Sequence, residues 1–114
     1  MSERDIPSLL QDILEAIDYI KVFTREMTFD VYQSDLKTKH AVERNFSIIG
    51  EAVSRIDKSF RDLHPSIDWR QVKDFRNIIV HDYFGIDDVI VWDIIQIDLA
   101  SLEKDIRVVL ASIH

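Results

Sequence analysis

Apolar residues recur at three- and four-residue intervals along almost the whole chain, a period that suits helices and excludes half-buried strands. Ile6, Leu9, Leu10, Ile13, Leu14, Ile17 and Ile20 share one stripe, which predicts a helix from about Asp5 to Phe23. Asp5 suits its cap, and Pro7 is tolerated in the first turn, where its missing N–H has no intrahelical partner. Thr28 to Ser34 is short enough to be one helical turn or a loop. A second long helix is expected from about Asp35 to Arg61, with Val42, Phe46, Ile49, Val53 and Ile56 buried and Gly50 as a close-contact point. His64-Pro65 ends it, because the residue before proline disfavours helical dihedrals. Ser66 or Asp68 then caps a third helix with Val72, Phe75 and Ile79 inward, stopped by Gly85 after Phe84. Asp87 or Asp88 opens the last helix, whose stripe is Val91, Ile95, Leu99, Leu102, Ile106, Val109 and Ile113, flanked by Trp92. The expected architecture is an all-α bundle of four or five helices.

The chain's 114 residues, 46% of them apolar, suffice for one core, and a single domain over residues 1–114 is expected. Two Gly and two Pro leave no linker-like tract, and no internal repeat is visible. Cysteine is absent, which removes disulfides, thiolate zinc sites and cysteine nucleophiles. The start, Met1-Ser2-Glu3-Arg4-Asp5, mixes charges where a secretory signal needs a basic stretch and then an apolar one. Charges cut every apolar run well short of the roughly 20 residues that span a bilayer, so a cytoplasmic protein without a membrane partner is expected. With 14 Lys+Arg against 21 Asp+Glu the net charge is -7, so any contact with nucleic acid must be local.

The candidate chemistry lies in Arg76-Asn77-Ile78-Ile79-Val80-His81-Asp82-Tyr83. At about 100° per residue, Arg76 and Tyr83 fall within about 20° of one direction, and Asn77 and His81 share the adjoining face. Arg76 can hold phosphate oxygens with its planar fork and stabilise charge that builds on them. His81 can move a proton near neutral pH, with Asn77 orienting the imidazole and Asp82 bonding to it or facing water. One Arg and one His are half of an acid–base apparatus, which a two-fold dimer would complete. From spacing alone the plainer reading is favoured: a salt-bridged surface Arg, and a His at the negative end of a helix.

The stretch Trp69-Arg70-Gln71-Val72-Lys73-Asp74-Phe75-Arg76-Asn77-Ile78-Ile79-Val80-His81-Asp82-Tyr83-Phe84 resembles the signature region of the HepT-like branch of HEPN-domain toxins. Ala41-Val42-Glu43-Arg44-Asn45-Phe46 with Ile49-Gly50-Glu51-Ala52 is similar to that branch's second helix, and Val91-Trp92-Asp93 to its last. The resemblance implies a HEPN-type helical bundle that forms a homodimer with its Arg and His motifs facing each other. It also implies a metal-independent ribonuclease acting on RNA as the toxin of a toxin–antitoxin pair. The implied partner is a nucleotidyltransferase antitoxin that transfers AMP to the tyrosine two residues beyond the motif histidine, here Tyr83. An anionic group beside Arg76 would occupy the phosphate position and neutralise its charge; the plainer reading of Tyr83 is a rim aromatic.

Arg44, Asn45 and Glu51 are candidates to support the motif, with Glu51 pairing Arg76 or Arg44; ion pairs that merely fix helix register compete equally. Lys37, Lys39, His40, Arg70 and Lys73 can form a basic rim or a solvated face. His64 reads as a loop residue. Phe29, Tyr32, Trp69 and Trp92 can stack bases, but more often such residues fill the core and a dimer seam. No metal and no cofactor is expected, since no His or carboxylate spacing is convincing. The alternative function is a non-catalytic nucleotide- or antitoxin-binding helical module; a structural bundle with a degenerate motif ranks third.

Overall fold

A computed structural model of the protein describes residues 5–81 and 88–113, the side chains of 77–81 excepted. Helix α1 (Ile6–Thr24) begins where Asp5 accepts a hydrogen bond from the backbone N–H of Ser8 at 2.8 Å, so its cap lies where the sequence places it. The short segment after it is helical: α2 (Phe29–Ser34) is capped by the Thr28 hydroxyl, which accepts from the Val31 N–H. Asp35 caps α3 (Leu36–Ser54) twice over, taking the backbone N–H of Thr38 at 3.1 Å and its hydroxyl at 2.9 Å. Those two bonds hold the Asp35 carboxyl below its ordinary range, the backbone bond being the larger cause.

The expected single helix from Asp35 to Arg61 is instead two. The last turn of α3 tightens to three-residue hydrogen bonds, from Arg55 N–H to Ala52 and from Ile56 N–H to Val53. Asp57 then caps α4 (Lys58–Leu63), its carboxylate accepting from the Phe60 N–H at 2.8 Å. Ile56 stays buried through the break, so the chain changes direction without losing its core contact. The His64-Pro65 stop is where the sequence puts it, and Trp69 fastens it: its indole N–H donates to the carbonyls of Arg61 and His64 at 3.1 and 3.0 Å. His64 lies against the Phe60 ring at 4.5 Å.

Between the two expected caps of α5 (Trp69–His81), Asp68 is the one used, its carboxylate accepting from the Gln71 N–H at 3.0 Å. Val72 and Phe75 are buried from this helix, while the Ile79 side chain lies outside the described part. Gly85 and Asp87 also lie outside the described residues. The last rod begins with α6 (Asp88–Asp93), widens into a π-helical turn (Ile94–Asp98) and continues as α7 (Leu99–Ser112). The π turn shifts the buried stripe, which takes in Ile94 and Leu110 as well as Val91, Ile95, Leu99, Leu102, Ile106 and Val109. Ile113 was expected in that stripe and is instead 36% exposed, beyond the last turn that packs.

Helix α3 is the centre of the bundle, with α1 on one side and α5 on the other, and α7 closes against α1. The result is an all-α bundle of four long rods with α2 and α4 as short connectors, and no strand occurs among the described residues. One continuous apolar core joins Leu10, Ile13 and Ile17 of α1 to Ile49 and Val53 of α3, Phe75 of α5 and Ile106 of α7. Tyr32 is buried, and with Phe29 it meets Trp92 at ring distances of 5.2 and 6.2 Å, which seats α2 on α6. Tyr32 and Trp69 therefore serve the core, as the more frequent role of large aromatics suggests. No described helix is long and apolar enough to cross a membrane.

Candidate active site

The rotation of α5 about its axis is set by three residues. Val72 and Phe75 are buried to 1% and 2% exposure, and Phe75 meets Phe46 of α3 edge-on with ring centroids 5.3 Å apart. Arg76 follows Phe75 in sequence and is therefore turned out to the margin of α5, where it is exposed.

Its distance from α3 is set by Gly50. A Cβ placed on Gly50 would stand 2.6 Å from the Arg76 Cβ and 3.3 Å from its backbone nitrogen. The two helices thus cross at this pair of residues, and only a residue without a side chain fits at position 50. The close-contact role expected of Gly50 holds, and its partner is the motif arginine itself. The stem of Arg76 is fixed by backbone packing while the side chain stays in reach of solvent.

The other supporting candidates do not gather there. Glu51 is ion-paired to Arg55 one turn on, at 2.9 Å, both being half exposed; the expected partners Arg76 and Arg44 are not the ones it takes. The cause is geometric: the i,i+4 pair needs no reach between helices. Asn45 is 7% exposed, donates to the Ala41 carbonyl at 2.9 Å, and lies in a groove with Asp12, Glu15 and Tyr19 of α1. Arg44 is exposed on α3. Asn77 and His81 have their backbone in α5 and their side chains outside the described part; Asp82 and Tyr83 lie outside the described residues.

Of the expected basic rim, Lys37, His40, Arg70 and Lys73 are exposed. Lys39 is removed from it by an ion pair with Asp88 at 2.9 Å, in which both side chains are largely covered. This pair ties the first turns of α3 to the first residue of α6, close behind the motif in sequence. Forty-nine residues separate the partners, so no local spacing signals it. Among the described residues no group of three or more His, Asp and Glu side chains stands together as a metal would require.

The all-α bundle, with an exposed arginine at a helix crossing and a histidine further along the same helix, fits the HEPN-type architecture that the sequence resemblance implies. The sequence profile of the family Ribonuclease HepT-like matches residues 13–109. The chain belongs to that family. It is 42% identical over 101 residues to a Thermococcus cleftensis protein named "Probable ribonuclease HepT", covering 89% of this chain and 92% of the relative. A Methanocaldococcus jannaschii protein named "Putative RNase" is 35% identical over 109 residues, 96% of this chain and all of the relative. A second protein so named from the same organism is 36% identical over 114 residues, the whole of this chain and 94% of the relative. No solved structure matches significantly.

Proposed function

We propose that the protein is an RNA endonuclease whose catalytic groups are Arg76 and His81, and that it acts as the toxin of a pair with a nucleotidyltransferase antitoxin. The observation that carries this reading is the Gly50–Arg76 crossing, which fixes the stem of an exposed arginine on the helix that bears His81 in a chain of a ribonuclease family.

His81 removes the proton of a ribose 2′-hydroxyl, and the resulting oxygen attacks the adjoining phosphorus. The 5′-oxygen leaves, taking a proton from an imidazolium, and a 2′,3′-cyclic phosphate remains. Arg76 binds the non-bridging oxygens and stabilises the charge that grows on them, work that needs no metal. Because one imidazole cannot be base and acid in the same step, the partner subunit's His81 supplies the second proton carrier in a symmetric dimer. Asn77 and Asp82 orient the imidazoles. The antitoxin silences the site by adding AMP to Tyr83, which puts phosphate charge where the RNA phosphate would bind.

The test is incubation of the purified protein with RNA in EDTA. Cleavage should persist in the chelator and fall by about 100-fold or more in both His81→Ala and Arg76→Ala, in line with removal of a proton carrier or of a charge-stabilising group. His81→Ala cutting at the wild-type rate would exclude the assignment, and RNA binding without cleavage by the wild type would leave a binding module. Co-expression with the nucleotidyltransferase proposed as its antitoxin should add AMP masses to the intact protein, and Tyr83→Phe should abolish them.

A further inference from the structure

We propose that the Lys39–Asp88 ion pair is a positioning device for the motif: together with the Gly50–Arg76 crossing it fixes, from both ends, the stretch of chain that carries His81. This inference rests on the nuclease reading for what is positioned, and on the two contacts themselves for how.

The two contacts share one helix. Gly50, which meets Arg76, and Lys39, which meets Asp88, both belong to α3 and stand about three turns, or about 16 Å, apart along its axis. In the chain, Arg76 precedes His81 and Asp88 follows it. At about 1.5 Å per residue, α5 from Arg76 to His81 covers at most about 7.5 Å of that interval. The crossing acts before the histidine, so it sets where the last turns of α5 depart and not where the chain has to arrive. Asp88, the first residue of α6, sets the arrival. His81 is thus bracketed by two ties to the same helix.

Neither local convenience nor stability accounts for the pair. Lys39 lies in the first turns of α3, near the positive end of the helix dipole, where a cation is disfavoured. The carboxylate one turn before it, Asp35, is committed to the Thr38 N–H and hydroxyl. Lys39 reaches instead across forty-nine residues to Asp88, at 2.9 Å, and the two side chains are only 19% and 16% exposed. Covering both charges costs desolvation that their attraction barely repays, so such a pair does more to specify one arrangement than to stabilise the fold. A rival use for Lys39 is to hold RNA phosphate directly, and the two uses differ in what they require of Asp88. If Asp88 merely restrains a phosphate contact, removing it frees the cation and tightens RNA binding. If the pair positions the motif, removing either partner slows the chemical step and leaves binding alone.

The experiment measures kcat and KM for RNA cleavage, and backbone amide hydrogen exchange, in Lys39→Met, Asp88→Ala and the variant carrying both. In all three kcat should fall about 10-fold, a fraction of what a misplacement of about 1 Å can cost, with KM within about 2-fold of the wild type. Exchange at the amides of residues 77–81 should quicken, while that of the buried Ile13, Ile17 and Ile49 stays as in the wild type. The double variant leaves no covered charge without its partner, so it carries the test where a single variant fails to fold. Lys39→Arg retains a cation for Asp88 and should retain most of the wild-type kcat. A double variant with kcat within about 2-fold of the wild type, or an Asp88→Ala protein that binds RNA more tightly, would overturn the positioning role. If the wild type does not cleave RNA at all, the nuclease reading falls and exchange alone decides: quickening confined to residues 77–81 upholds the pair as an anchor, and unchanged exchange removes it.

Discussion

The 2.6 Å that separates a notional Gly50 Cβ from the Arg76 Cβ makes position 50 the most sensitive single site for the proposed chemistry. On an isolated helix, replacing glycine by alanine is favourable by about 1 kcal/mol. Here the obstacle is a Cβ and a backbone nitrogen rather than the end of a flexible side chain, so α5 itself must move. Overpacking of this kind typically costs about 1–3 kcal/mol, which outweighs the gain in propensity. Gly50→Ala is accordingly expected to lower stability by a net amount of up to about 2 kcal/mol in urea denaturation, and RNA cleavage should fall more than folding does because Arg76 is displaced. Gly50 was legible in the sequence as a small residue inside a polar-interrupted helical stripe, and Asp5 as a cap. Glu51 was legible only as a charge near the motif: its partner, Arg55, was settled by the single turn between them.

Four helical rods could be read from apolar spacing because each buries one face, and the period survives wherever a rod is straight. What spacing hid are the places where a rod is interrupted while its buried face continues. Ile56 keeps the period across the α3–α4 break, so only the cap at Asp57 betrays it. Replacing Asp57 by alanine should lower the urea midpoint, through loss of the Phe60 N–H bond. The π turn is hidden in the same way, since Ile94, Ile95 and Leu99 stay buried through it. Below it, Glu103 of α7 joins Lys21 of α1 at 2.9 Å and Arg107 at 3.2 Å. The Lys21 hydrogen bond, with a smaller contribution from Arg107, holds the Glu103 carboxyl below its ordinary range. A depressed carboxylate contributes stability that is whole above its unfolded pKa and is lost as pH falls through the folded one. Glu103→Gln should therefore cost up to about 1 kcal/mol at pH 7, since Lys21 is 44% exposed and partly screened, and less at pH 3. Urea titrations of both proteins at the two pH values check it.

At the scale of the whole molecule, a net charge of -7 has to be reconciled with an RNA substrate. Long-range attraction does not do it, and one of the expected rim lysines, Lys39, is neutralised by Asp88. Positive charge has to be concentrated locally, and pairing two copies of α5 would place two Arg76 and two His81 in one cleft. The rods and their order along the chain followed from sequence periodicity, the central place of α3 came from the structure, and this pairing rests on the family resemblance and on the count of proton carriers. The two arrangements make different arithmetic. If each subunit acts alone, mixing equal amounts of wild type and His81→Ala, with subunit exchange complete, leaves half the wild-type rate. If base and acid come from different subunits of one cleft, only dimers with two intact histidines cut at full rate, and about a quarter remains. Over a series of mixing ratios at fixed total protein, the rate should follow the square of the wild-type fraction. A straight line would place the whole reaction within one subunit and require a second proton carrier from the same chain.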